Sequence, residues 1–74
     1  MMRLADLQSK DIVNTKDGKK LGRIMDAEID NNGNIVYFAV EQKRLFRLFS
    51  SNPEINITFN QIVKIGEDVI LVEL

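Results

Sequence analysis

Two glycine dipeptides, Asp17-Gly18 and Asn32-Gly33, each set between strand-like runs, restrict this chain more than any other feature. Asp-Gly and Asn-Gly favour type I′ turns, in which two successive residues take positive φ, and such turns return one strand antiparallel beside the last. Ile12-Val13 leads into the first turn and Leu21 to Ile29 leads out. From Met25 onward that outgoing strand alternates, with Met25, Ala27 and Ile29 on one side and Asp26, Glu28 and Asp30 on the other. Ile24 beside Met25 breaks the phase and Gly22 sits just before it, which predicts a bulge or bend there.

Four further segments follow. Ile35 to Val40 is apolar on both faces, as in a central strand covered on both sides or one whose outer face meets a partner. Glu54 to Phe59 alternates again, opened by Pro53 where no ladder donor is required. Ile62 to Ile65 and Val69 to Leu74 flank Gly66-Glu67-Asp68 as a last hairpin, and Phe59-Asn60-Gln61 reads as a single helical turn. Six short strands with at most one short helical turn make an all-β barrel or sandwich of one domain, residues 1–74. Closure into a barrel would remove exposed edges.

The chain has no cysteine, so packing and oligomerisation must supply what disulfides supply in other small domains. At 45% apolar and 28% charged residues it has globular rather than disordered composition. Basic residues outnumber acidic ones nine to seven up to Arg47 and fall to one against four after it. That asymmetry is far below a nucleic-acid-binding signature. Without an apolar signal core in residues 1–10 or any long apolar run, the expectation is a soluble cytoplasmic protein with no membrane contact.

Three stretches carry a family resemblance. Met2 to Asn14, Asp17 to Asp26 and Ile62 to Val72 together resemble the PRC-barrel family, in its stand-alone YlmC/YmxH-like branch. The resemblance implies a small six-stranded β-barrel that docks on other macromolecules rather than catalysing a reaction, with a sporulation or cell-division association. It also brings in a ribosomal relative, the barrel of the maturation factor RimM. Ile57-Thr58-Phe59 stands where relatives often carry an Ile-Pro-Trp-like stretch, and the long middle loop keeps aromatics but has no glycine.

Catalytic material is scarce. Histidine, cysteine and tryptophan are absent, which removes Ser-His, Cys-His and His-metal arrangements. Ser9, Ser50 and Ser51 read as turn residues, and no glycine spacing fits a phosphate cradle. Glu28, Asp30, Asn32 and Gly33 imitate the first half of a calcium loop, but its twelfth position is Ala39 rather than a bidentate Glu, so they read as a solvated strand face running into a hairpin. No catalytic, metal or cofactor site is expected, and the chain reads as a non-enzyme.

Two interaction sites are expected instead. Lys16, Lys19, Lys20 and Arg23 gather around the first turn as a phosphate or RNA contact, or as an ordinary charged hairpin with Asp17 and Asp26 as neutralisers. Leu45, Phe46, Arg47, Leu48 and Phe49 form the partner-binding candidate. Alternation would split each Leu-Phe pair, whereas a helical turn brings Leu45, Leu48 and Phe49 to one side. Covering these side chains can be the work of a lid on the barrel end, of a second copy in a homodimer, or of another protein that the sequence does not name. The alternative function is a ribosome- or RNA-associated accessory domain built on the basic turn.

Overall fold

The computed structural model describes residues 2–42 and 54–74. Six strands form one sheet: β1 (Asp11–Asn14), β2 (Lys20–Ile29), β3 (Ile35–Gln42), β4 (Glu54–Ile57), β5 (Ile62–Ile65) and β6 (Val69–Val72). Their order is β4-β3-β2-β1-β6-β5. Neighbours are antiparallel except β1 and β6, which pair in parallel from Asp11 opposite Val69 to Asn14 opposite Val72. The sheet curls until inward side chains of all six strands meet: Ile12, Ile24, Phe38, Val40, Ile57, Ile62, Ile70 and Val72 line one apolar interior. The expected six-stranded, all-β architecture is the one observed. The hydrogen-bonded ladder itself ends at β4 and β5 among the described residues.

Period-2 alternation decides which residues enter this core. On β3, Phe38 and Val40 point inward beside their partners Ala27 and Ile24 on β2, while Tyr37 lies opposite Glu28 on the outer face. The phase break at Met25 is a bulge: Ile24 pairs with Val40 and Asp26 with the next residue, Ala39, leaving Met25 as the extra one. Leu21 is extra in the same way between β1 and β2, where Ile12 pairs with Gly22 and Val13 with Lys20. Such bulges bend the long β2 strand around the small core.

Both turn dipeptides make hairpins, but neither is the type I′ turn that the sequence suggests. Only the glycines take positive φ, Gly18 at 68° and Gly33 at 86°, while Asp17 and Asn32 keep negative φ. The reason is local hydrogen bonding. The Asp17 carboxylate accepts from the Lys19 amide at 2.9 Å, and the Asp30 carboxylate accepts from the amides of Asn32 and Asn34, both at 2.9 Å. These side chains wrap the loop and leave only its last turn position left-handed.

Helix content exceeds the single turn expected. The turn at Phe59–Gln61 is present as a 3₁₀ helix, with Thr58 and Gln61 bonding across it. A five-residue α-helix, α1 (Leu4–Gln8), precedes β1 as well. The Asp6 carboxylate accepts from the Arg3 amide at 2.9 Å, satisfying a free donor at the helix start. Leu7 packs against the core, and the Gln8 side chain donates to the Met25 carbonyl at 3.5 Å. Among the described residues no helix is long and apolar enough to cross a membrane.

Phe38 is the largest fully buried side chain, and the Phe59 ring meets it edge-on at 5.2 Å and 73°. A chain of this length has about 4–11 kcal/mol of stability in all. Phe38→Ala is therefore expected to cost ~3–5 kcal/mol, read as a large drop in the urea midpoint at unchanged slope. Ile70→Val, at the opposite wall, should cost only ~0.5–1.5 kcal/mol. A loss below about 1 kcal/mol for Phe38→Ala would show that the core does not rest on this ring.

Candidate interaction surfaces

The first turn is built around Asn14, the one buried polar residue among those described. Its amide donates to the Lys19 carbonyl at 3.0 Å, its carbonyl accepts from the Gly18 amide at 2.8 Å, and its Oδ1 accepts from the Lys16 amide at 3.2 Å. One residue later, the Thr15 amide donates to the Val72 carbonyl at 2.8 Å, which ties the turn to β6. Satisfying these groups is what permits a polar side chain at the sheet end. It also holds Lys16 and Lys19 outward, where both are exposed.

The four basic residues of the first turn differ in their partners. Asp11 sits between Lys20 and Arg23, 3.6 Å from the Lys20 Nζ and 3.3 Å from the Arg23 Nε. The Arg23 hydrogen bond, with Lys20 adding to it, holds the Asp11 carboxyl below its ordinary value against the opposing effect of burial. The neutralisers expected from sequence were Asp17 and Asp26, and the structure replaces them. The Asp17 carboxylate bonds the Lys19 amide of its own turn, and the Asp26 carboxylate bonds the Ala27 amide at 2.8 Å. Among the described residues Lys16 and Lys19 form no ion pair. The signal for Asp11 was present in the hairpin register: with Ile12 opposite Gly22, the preceding residue faces Arg23.

The acidic side of β2 has its own structural use. Asp30 ends the strand, and its carboxyl lies below its ordinary value because the amide of Asn34, then that of Asn32, donates to it. No group of three His, Cys, Asp or Glu side chains is arranged to hold a metal ion among the described residues.

Leu45, Phe46, Arg47, Leu48 and Phe49 lie outside the described residues. Their flanks are placed. Gln42 pairs with Gly22 and Glu41 with Glu54, so the chain leaves and re-enters the sheet at the end where β2 begins. Lys20 and the basic turn lie at that same end. Large apolar side chains that the described surface exposes include Ile29 at 59%, Val63 at 58%, Met2 at 54%, Phe59 at 52%, Met25 at 50% and Val36 at 46%; of these the sequence points to Val36 alone, through the apolar outer face of Ile35 to Val40.

Asp11 supports a pH prediction. Its carboxyl is lowered on folding, so its ion pairs contribute fully above the unfolded value of ~3.9 and are lost as pH falls through the folded value. Both cationic partners are more than half exposed, so screening keeps the contribution below ~1 kcal/mol. The stability gap between the wild type and Asp11→Asn should shrink in acid and also in high salt. A gap constant from neutral pH to strong acid would show that the charge of Asp11 is not what matters.

Against this geometry, the comparisons with known proteins are direct. The sequence model of the PRC-barrel domain matches residues 1–74. The chain is 41% identical over 76 residues to "Probable sporulation protein YlmC" of Bacillus subtilis (strain 168), covering 100% of this chain and 94% of that protein. It is 29% identical over 76 residues to "Uncharacterized protein YmxH" of the same organism, covering 99% of this chain and 89% of the relative. A six-strand sheet around one apolar interior, matched along its whole length by that domain, places the chain in the PRC-barrel family.

Proposed function

We propose that this chain is a non-enzymatic docking module of the cytoplasm that pairs with a second copy of itself and presents Leu45, Phe46, Arg47, Leu48 and Phe49 to a protein partner. The observation that carries the reading is how the surface divides its chemistry. Among the described residues, Asp11 and Asp30 are carboxyls that the fold perturbs, the first bridging to β2 and the second holding the β2–β3 turn, whereas Ile29, Val36, Phe59 and Val63 stand about half exposed. Perturbed titratable groups collect where catalysis is done, and here their partners are structural. Exposed apolar side chains collect where another surface is to be met. Similarity to a protein named as a probable sporulation protein supports a role in sporulation.

Phe46→Asp and Phe49→Asp test the proposal. Sedimentation should show the self-associated species lost, and pull-down from native lysate should lose the co-purifying protein. Circular dichroism should stay that of the folded barrel. If either variant unfolds instead, those rings belong to the core and the docking assignment is wrong.

A second reading rests on Lys16 and Lys19, which lie exposed on the first turn and, among the described residues, form no ion pair. It makes the chain an RNA-associated accessory domain. Each phosphate contact to a single strand contributes about −0.7 to the slope of log affinity against log salt. Because Asp11 engages Lys20 and Arg23, the slope for single-stranded RNA should be about −1.4, that of two contacts, and Lys16→Ala with Lys19→Ala should abolish it. Binding that is absent, or indifferent to salt, excludes this reading.

A further inference from the structure

The β2–β3 hairpin outruns the strands around it. On β2, β1 reaches only Lys20 and Gly22; on β3, β4 reaches only Phe38 to Glu41. Glu28 and Ile29 on β2 therefore pair only with Tyr37 and Ile35 on β3 and, among the described residues, with no third strand. A two-stranded ribbon of this kind is marginal by itself, so its local opening costs less than global unfolding. At its tip lies Asn32-Gly33, the single Asn-Gly pair in the chain.

We propose that Asn32 is a site of spontaneous deamidation whose rate is set by local opening of the β2–β3 arm. Asn32 is exposed, and no hydrogen bond holds its carboxamide among the described residues. Gly33 carries no side chain to hinder attack by its backbone nitrogen on the neighbouring Cγ. In the closed arm that attack is blocked, because the Gly33 amide proton is bonded to the Asp30 carbonyl at 3.1 Å. Three more bonds fix the turn: Asp30 amide to Asn34 carbonyl, and the amides of Asn32 and Asn34 to the Asp30 carboxylate, all at 2.9 Å. Opening releases the Gly33 nitrogen to solvent.

The step balances without an oxidant or cofactor. The Gly33 nitrogen gives its proton to solvent base and bonds to the Asn32 Cγ. The bond from Cγ to Nδ2 breaks and the nitrogen leaves as ammonia, closing a cyclic imide. Water then adds to one of the two imide carbonyls. Breaking the new bond to Cγ yields Asp, and breaking the original peptide bond yields isoaspartate. The first product adds a carboxylate to the turn that Asp30 holds. The second lengthens the main chain by one carbon inside the turn and disrupts the Asp30–Asn34 pairing.

The test is incubation of the full chain at mildly alkaline pH, followed by intact mass for replacement of NH₂ by OH and by peptide mapping for isoaspartate. The modification should map to Asn32 and vanish in Asn32→Gln. Asp30→Ala removes the acceptor of two amides and should accelerate it about three- to tenfold. Circular dichroism checks that this variant stays folded. If it does not, wild type in urea below the global transition reads the same coupling. A rate that climbs before the transition supports the proposal, and one that tracks only global unfolding overturns it. Modification mapping to another asparagine, or a folded Asp30→Ala that reacts at the wild-type rate, overturns it equally.

Discussion

The parallel pairing of β1 with β6 is the constraint on which the rest of this barrel depends. It joins a strand near the start of the described chain to the last strand, so the loop it closes is almost the whole protein. Closing so long a loop has an entropy cost that local contacts do not repay, although that cost rises only slowly with length. The hairpins β1–β2, β2–β3 and β5–β6 can form from near neighbours, but they leave Ile12 and Ile70 without the opposing wall that buries them. Once Asp11 to Asn14 lie beside Val69 to Val72, the Thr15 amide finds the Val72 carbonyl and the Asp11 amide finds the Asp68 carbonyl. Those bonds cap both ends of the pairing.

Asp11 shows how one position serves two scales at once. Its backbone belongs to the long-range seam with β6, and its side chain bridges the adjacent strand through Lys20 and Arg23. The bridging is exposed and energetically modest, so its value lies in register. A slip of one residue between β1 and β2 would turn Ile12 outward and move the carboxylate away from both cations. In a chain with no cysteine, such charge marking helps a short four-residue strand find its correct neighbour.

Much of this was legible from residue patterns because short-range physics determines it. Alternation placed Ile55 and Ile57 toward the core and the broken phase at Ile24-Met25 announced the bulge, but of Met25, Ala27 and Ile29, expected on one side, only Ala27 packs on the core while the other two are exposed. The turn type was misjudged because dipeptide preference weighs two residues, whereas Asp17 and Asp30 act on amides two and four positions ahead. Helix α1 offered little to read: five residues with Leu4 exposed and only Leu7 packed have no periodicity to detect. Asp11 is not legible as the partner of Lys20 and Arg23 from neighbours in sequence, which point to Asp17 and Asp26 as partial neutralisers, because strand register is what brings it there. The exposed Phe59 was invisible as such, since alternation marks it as core-facing, and the 3₁₀ turn that begins there moves it to the core's edge.

These placements also give the two ends of the barrel different chemistry. The basic turn and the flanks of residues 43–53 share the end at which β2 begins, while Ile29 and Val36 lie on the arm at the other end. Two of the four cations at the first end are already bridged by Asp11, which lowers the local field available to a polyanion. An apolar contact suffers no such discount, since burying a single large apolar side chain contributes roughly 1.5–3 kcal/mol without depending on salt. Bridging by Asp11 and the lack of a described aromatic on the first turn both weaken what Lys16, Lys19, Lys20 and Arg23 could offer a nucleic-acid backbone.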